Sequence, residues 1–330
     1  MDAHSTKPTI LSLQDLDAVV ETRNPETGAF EYITFYTFAN NDAAYFGQLP
    51  KARDEASMQD FSDALELVPE HHIFPLLPLD TELTIAPEVR EEDGFFIKRP
   101  NMAMYELFVD QESDDMDGFL ARLLLSEARI MQRLSQHPHP HIVRYHGVRA
   151  RRGRITGLVM DKHQITLLEH VRQGRDIEQV GFMRAMESAV AHLHSLGLAH
   201  NDINPENIMV GPDSLPVLID FGSCQPFGKR LMTSGTPGWV ESDDTHSRLE
   251  HDAFALGKLR EWFKKPWFEA PGGVDKEGDV DTDKGGVVGT DKAIDEQESF
   301  EKSGVVDTDK AIDQQKSVEK GGEVDGESEK

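Results

Sequence analysis

The chain has 330 residues and one cysteine, so it is long enough for a hydrophobic core but excludes a disulfide framework and a thiolate metal site. Its net charge of −26 argues against nucleic acid or anionic lipid as partners, because both would repel it. The sequence shows neither a signal peptide nor an apolar run long enough to span a membrane. We therefore expect an intracellular protein, cytoplasmic or nuclear and not secreted, without a membrane or nucleic-acid partner.

Residues 1–90 give only weak signals of regular structure. Aromatic and β-branched residues over 31–38 predict a strand, and Ser57 followed by Asp60 predicts the start of a helix. Prolines break the rest of the segment into loops. We expect these residues to form an N-terminal extension that supplies an edge of the domain that follows.

A strand predicted over residues 94–98 ends in Lys98. In the helix predicted from Phe119 to Leu134, apolar residues recur on one face, and Glu127 lies on that same face. A carboxylate among apolar residues is costly unless it meets a cation. We therefore expect Glu127 to pair with a cation; the alternative is an exposed glutamate on an ordinary amphipathic helix.

Four histidines follow this helix, at His137, His139, His141 and His146. Two prolines interrupt the stretch, and no acid or cysteine completes a set of ligands. We predict a loop here rather than a metal site.

Asp202, Asn207 and Asp220 form the most informative pattern in the chain. Asn207 follows Asp202 by five residues, and Asp220 follows Asn207 by thirteen. One carboxylate can receive the proton of an attacking hydroxyl, while a carboxamide and a second carboxylate supply the oxygen ligands that Mg²⁺ prefers. Residues 215–219 predict a buried strand that leads to Asp220, and Gly222 permits a sharp turn after it. The pattern favours phosphoryl transfer over the alternative, a loop with two surface acids.

The segments His200–Asn207 and Asp220–Gly222 resemble the catalytic and metal-binding loops of the eukaryotic protein kinase family. In detail, the loop is similar to that of small, divergent fungal kinase-like proteins with an Asn-Asp-Ile/Leu-Asn-Pro sequence. The resemblance implies an α+β, two-lobed fold with an N-lobe over 91–161 and a short C-lobe over 162–268, the extension 1–90 contributing to the N-lobe. A helix predicted over 182–196 would lead into the catalytic loop.

The resemblance also implies roles for individual residues, with ATP and Mg²⁺ as cofactors and a protein as substrate. Asp202 would be the catalytic base, and Asn207 and Asp220 the metal ligands. Lys98, paired with Glu127, would neutralise the α- and β-phosphates.

Four further positions receive roles from the same resemblance. Met160 would be the gatekeeper, and Asp161 would begin the hinge that binds adenine through its backbone. Thr236, in the motif Gly235–Trp239, would bond the catalytic aspartate, and Asp252 would brace the amides of the catalytic loop.

The chain departs from the family pattern at three places. No Gly-x-Gly-x-x-Gly precedes Lys98, so backbone amides cannot wrap the phosphates in the usual way. Asn201 replaces an arginine that holds a phosphorylated activation loop, so an active enzyme should not need that switch. Asn204 replaces a lysine directed at the γ-phosphate, a loss that we expect to slow transfer by about 10²–10³. Lys229 and Arg230 are candidates to compensate.

These patterns leave three functions open. The first is a divergent Ser/Thr protein kinase, and the second is a pseudokinase that serves as a binding scaffold, favoured by the missing glycines and by Asn204. The third is a small-molecule kinase resembling the aminoglycoside and choline kinases, which share the His-x-Asp-x-x-x-x-Asn pattern. The motif at Gly235–Trp239 favours a protein kinase. Cys224 is expected to be a small buried residue rather than a reactive thiol.

Residues 269–330 differ in composition from the rest of the chain. They hold 19 acidic residues and 8 lysines, and the sequence at 286–295 recurs at 304–313. Two repeats with so few apolar side chains cannot bury a core, so we predict a disordered acidic tail. The oligomeric state cannot be predicted from the sequence.

Overall fold

The computed structural model describes residues 7–24, 27–79, 83–106, 118–241 and 245–268, which form the α+β fold expected from the sequence. The predicted acidic tail, residues 269–330, lies outside the described residues. No helix in the described ranges combines the length and the apolar character needed to cross a membrane.

The N-terminal residues form a four-stranded antiparallel sheet in which the strands follow chain order. Its strands and helix are β1 (Ala18–Arg23), β2 (Phe30–Phe38), β3 (Ala44–Leu49), α1 (Met58–Ala64) and β4 (Glu66–Leu67). The predicted strand and helix start are confirmed, because Ser57 caps α1 in a reciprocal capping box with Asp60. Phe35 on β2 packs edge-to-face on Phe61 of α1, with ring centroids 4.8 Å apart. Both rings belong to a small hydrophobic core formed by the N-terminal sheet and α1.

A second sheet carries the predicted lysine. It has the order β5-β7-β6, and its elements and flanking helices are α2 (Glu70–Ile73), β5 (Phe95–Lys98), α3 (Phe119–Ser135), β6 (Tyr145–Arg151) and β7 (Arg154–Asp161). Short 3₁₀ turns lie at Leu13–Asp15, Glu91–Asp93 and Met102–Tyr105. Asp42, fully buried at the turn between β2 and β3, joins the two sheets by bonding Arg149 Nε at 2.7 Å and Thr156 Oγ1 at 3.0 Å.

The remaining residues are mainly helical. The elements are α4 (Leu167–Arg172), α5 (Gln179–Ser195), β8 (Leu198–Ala199), β9 (Ile208–Val210), β10 (Pro216–Leu218), β11 (Gln225–Pro226) and α6 (Leu249–Lys264). β8 pairs with β11, and β9 pairs with β10. The scaffold helix predicted over 182–196 is α5, and Gly197 ends it with a φ of 69°. Strand β10 is shorter than predicted and stops two residues before Asp220, whose own φ is 59°.

Candidate active site

Lys98 lies at the end of β5, where its ammonium group bonds two carboxylates. Its Nζ is 2.7 Å from Glu127 Oε1 on α3 and 2.8 Å from Asp220 Oδ1 beyond β10. Glu127 also accepts a hydrogen bond from the backbone N–H of Phe221 at 3.1 Å. The ion pair predicted from the apolar face of α3 is therefore present, and it extends to a third residue that is distant in the sequence.

The charges of these three groups depend on one another. Burial opposes ionisation of Lys98, but attraction to Asp220 and Glu127 outweighs it and raises the pKa of the ammonium group above its ordinary value. Burial likewise opposes ionisation of Asp220, yet the ammonium of Lys98 holds the pKa of this carboxyl well below its usual range. Burial, reinforced by the charge of Asp220, raises the pKa of Glu127. Of the two carboxylates, Asp220, with a side chain that is 44% exposed, is the one that faces solvent, whereas that of Glu127 is 5% exposed.

The carboxylate of Asp202 is the centre of a second, denser cluster. Its Oδ1 accepts bonds from the backbone N–H of Thr236 at 2.8 Å, from Thr236 Oγ1 at 2.7 Å and from Asn204 Nδ2 at 3.0 Å. Asn207 Nδ2 donates to Asp202 Oδ2 at 2.8 Å. All of these side chains come from short loops, and the bonds fix the orientation of the carboxylate at a position that is only 8% exposed.

Asn204, which stands where the family has a lysine, links two segments of the site by hydrogen bonds. Its Nδ2 donates to both Asp202 Oδ1 and Thr236 Oγ1, the latter at 2.8 Å. Its Oδ1 accepts from the backbone N–H groups of Glu206 and Asn207. The sequence indicated a missing cation, but it gave no signal that Asn204 would link the catalytic loop to the motif around Thr236.

The β9–β10 hairpin brings the backbone of Asn207 to that of Ile219, the residue before Asp220. The N–H of Ile219, next to Asp220, donates to the carbonyl of Asn207 at 3.0 Å. Both bonds of Asn207 Nδ2 go to Asp202, which turns the carboxamide oxygen away from that residue. Among the described residues, this oxygen accepts no hydrogen bond. One carboxamide oxygen and one carboxylate fit the sparse protein ligation that Mg²⁺ accepts when phosphates and water supply the rest.

Asp252, in the first turn of α6, holds the backbone of the catalytic loop. Its two carboxylate oxygens accept from the N–H groups of His200 and Asn201, each at 2.9 Å, and its Oδ2 also bonds His194 Nε2 at 2.9 Å. His200 Nε2 in turn bonds the carbonyl of Ile219 at 3.0 Å. The carboxylate, although fully buried, therefore has donors on both oxygens, as the sequence pattern predicted for a bracing residue.

The hinge residues lie at the end of β7, opposite β5. Met160 is buried and pairs with Phe96, and Asp161 pairs with Phe95. The backbone N–H of Asp161 donates to Arg144 at 3.0 Å, and its carboxylate bonds His146 at 2.6 Å.

Two other groups of residues lie outside this site. The side chains of Lys229 and Arg230 are exposed, and the structure shows no contact that brings either of them to Asp202 or Asp220. In the described part of the chain, no cluster of histidines, cysteines or acids has the arrangement of a metal site.

Comparison with known proteins supports the kinase resemblance. Residues 98–259 match the protein kinase domain family. The chain is 34% identical over 135 residues to the Serine/threonine-protein kinase PknG of Mycolicibacterium smegmatis, an alignment that covers 38% of this chain and 18% of that protein. It is 38% identical over 87 residues to the Maternal embryonic leucine zipper kinase of Xenopus laevis, covering 24% and 13%. It is 30% identical over 131 residues to the MAP kinase kinase kinase SSK2 of Saccharomyces cerevisiae, covering 38% and 8%.

The chain spans less than a fifth of the length of each of these relatives, so the likeness concerns the domain and not the whole proteins. The matched region begins at Lys98 and ends in α6, and it contains the lysine, both loops and the bracing aspartate described above. Residues 98–259 therefore match a protein kinase domain, in agreement with the α+β, kinase-like fold described above.

Proposed function

We propose that this chain transfers a phosphoryl group from ATP, with Mg²⁺, to Ser or Thr hydroxyls of a protein substrate. The observation that carries the proposal is the pair of bonds from Thr236 to Asp202 Oδ1, at 2.7 and 2.8 Å. They join the carboxylate that would receive the proton to the segment that lies at the substrate side in protein kinases. The loop sequence Asn201–Pro205 supports a place among the small, divergent fungal kinase-like proteins.

Asp202 would orient the substrate hydroxyl and accept its proton as the oxygen attacks. Its bonds to Thr236, Asn204 and Asn207 hold the carboxylate in one orientation, so little reorganisation is needed during the reaction.

The phosphate groups would meet the other cluster. Asn207 and Asp220 would hold Mg²⁺, which supplies neutralisation of the phosphate charge when it is bound. Lys98 would exchange its bond to Asp220 for bonds to the α- and β-phosphates, while its bond to Glu127 remains. The raised pKa of Lys98 keeps this group charged throughout the physiological range.

The test uses the full chain with labelled ATP·Mg²⁺, generic protein substrates and a panel of amino and hydroxyl metabolites. We expect label on protein that is lost in Asp220→Ala and retained in Asp213→Ala, a matched change at an exposed aspartate in the β9–β10 turn. Absence of label on any protein would refute the proposal.

The same assay separates the two other candidates. Label on a metabolite would indicate a small-molecule kinase, a function that the contact between Thr236 and Asp202 disfavours. Thermal stabilisation by nucleotide without transfer would indicate a pseudokinase. That candidate is favoured by one specific observation: among the described residues, β5 pairs only with β7, so its outer edge lacks the strands that would carry a glycine-rich loop.

A further inference from the structure

Asn201 adopts a left-handed backbone conformation with a φ of 64°, in a site that leaves it only 2% exposed. Its Nδ2 donates to the carbonyl of Ala199 at 2.9 Å, to the carbonyl of Ser223 at 3.0 Å and to Ser247 Oγ at 3.1 Å. Its Oδ1 bonds His251 Nδ1 at 3.0 Å. A short carboxamide suits this position because asparagine tolerates a left-handed conformation and its two N–H groups can be shared among three oxygens.

Ser247 is the second centre of the same network. It is fully buried, and its Oγ donates to the carbonyl of Gln225 at 2.9 Å while it accepts from Asn201. Its backbone N–H donates to Lys229, and its carbonyl accepts from Gly228, each at 2.8 Å. One residue thus ties the stretch 225–229 to the loop before α6 by both side chain and backbone.

Residues 225–229 belong to a longer segment, 220–239, which runs from Asp220 to the end of the motif around Thr236. Gly235 lies directly against the catalytic loop, since a Cβ at that position would be 2.7 Å from the carbonyl oxygen of Asn201. Asn201 therefore contacts the segment at its beginning, through Ser223, and near its end, through Gly235.

We propose that Asn201, together with Ser247, is a positioning residue that fixes the segment 220–239 by neutral hydrogen bonds and makes its order independent of phosphorylation. The family places an arginine here, whose charge requires a phosphate on the segment before it can hold it. The carboxamide of Asn201 instead bonds groups that are always present: a backbone carbonyl and a serine hydroxyl. The catalytic meaning of this order rests on the proposed function, but the order itself does not.

Limited trypsin digestion of the full chain tests the order of the segment directly. Lys229 and Arg230 are exposed, yet cleavage after them requires release of the backbone bonds to Ser247. Protein made in bacteria and treated with phosphatase should resist cleavage at these two sites, read by mass spectrometry of the new ends. Asn201→Asp keeps the size and the backbone preference of the residue but sets a carboxylate oxygen against two carbonyls, so we expect cleavage there to rise by about tenfold or more.

Two variants control for charge and for folding. Asn101→Asp makes the same chemical change at an exposed helix cap whose side chain only accepts a bond, and its digestion should match that of the natural chain. Ser247→Ala keeps the backbone bonds, so it should still fold, with a moderately lowered melting temperature, and cleavage should rise several-fold. That variant decides the question if Asn201→Asp fails to fold.

Steady-state kinetics distinguish a positioning role of Ser247 from a purely structural one. If the chain transfers phosphate, Ser247→Ala should lower kcat more than it changes the KM for ATP, because neither Lys98 nor the side chain of Asp220 bonds Asn201 or Ser247. Rapid cleavage of the phosphatase-treated natural chain at Lys229 or Arg230 would overturn the proposal, as would protection that appears only after phosphorylation. Protection as expected, in a chain that transfers no phosphate, would instead leave the network intact and refute the proposed function.

Discussion

The catalytic loop and the strand β5 both carry residues of the candidate active site, but they are held in very different ways. In the loop, Asp202, Asn204 and Asn207 are each no more than 8% exposed, and their side chains bond one another. On β5, Lys98 is fixed by two carboxylates, whereas Phe96, two residues earlier on the same face, is 47% exposed. The side chains of the loop therefore support one another, with further bonds from Thr236 and Asp252, whereas Lys98 is held only by residues of other elements.

This difference shows which part of the chemistry a short motif can specify. Asn207 follows Asp202 by only five residues, so a short turn is enough to bring the amide of Asn207 to the carboxylate of Asp202. The position of Lys98 depends instead on α3 and on Asp220, which lie 29 and 122 residues away. We expect substitutions in the loop to affect transfer and those around β5 to affect stability first.

The largest effect on transfer is expected from Asp202→Asn. The change removes the proton acceptor and sets an amide against the donors of Thr236 and Asn207, so kcat should fall by about 10³. Steady-state transfer to a protein substrate measures the loss, and Asp176→Asn, at an exposed backbone-bonded aspartate, is the matched control. A loss of less than about tenfold would mean that Asp202 is not the base.

Lys98→Met tests how far the nucleotide side depends on one ion pair. The variant leaves Glu127, which is 5% exposed, without its cation, so the free energy of unfolding should fall by about 3 kcal/mol in urea titrations. Adding Glu127→Leu should restore most of that loss, because no buried charge then remains unpaired. If the double variant is less stable than the single one, the pair is not the main support of β5.

Asp42→Asn tests whether the contact of Asp42 with Arg149 and Thr156 stabilises the second sheet. The carboxylate of Asp42 is fully buried and accepts from Arg149 and Thr156, and an amide can satisfy only part of this set. We expect a loss of about 2 kcal/mol in the free energy of unfolding, and an increase in the hydrogen exchange of β6 and β7. Exchange that increases only in β1–β4 would show that the N-terminal sheet folds separately.

These contacts also show what could be predicted from the sequence. A cationic partner for Glu127 was predictable, because a carboxylate on an apolar helix face is costly without one, and the resemblance to protein kinases identified Lys98 as that partner. The cluster around Asp202 was predictable in part, since Asn207 lies within one turn of it in the chain. The roles of Asp42 and Asn201 were not, because their partners are distributed over the chain, up to 114 residues from Asp42 and up to 51 from Asn201. No local pattern marks such positions.

The smallest effects are expected at Cys224, which lies close to both regions. Burial, together with the charges of Asp252 and Glu127, raises the pKa of its thiol well above the ordinary value, in agreement with the expected buried, unreactive cysteine. Cys224→Ala should therefore lower the free energy of unfolding by only about 1 kcal/mol and leave transfer unchanged.

The thiol of Cys224 also gives a pH dependence with a definite sign. A folded-state pKa that exceeds the unfolded one means that the unfolded chain loses its thiol proton first as the pH rises. Stability should therefore be complete below about pH 8.5, the ordinary value for a thiol, and should decline above it. Urea titrations at pH 8 and pH 9.5 would reveal this decline in the natural chain and its absence in Cys224→Ala. An equal decline in both proteins would assign it to other groups, and rapid alkylation of the folded chain at pH 8 would contradict the burial of the thiol.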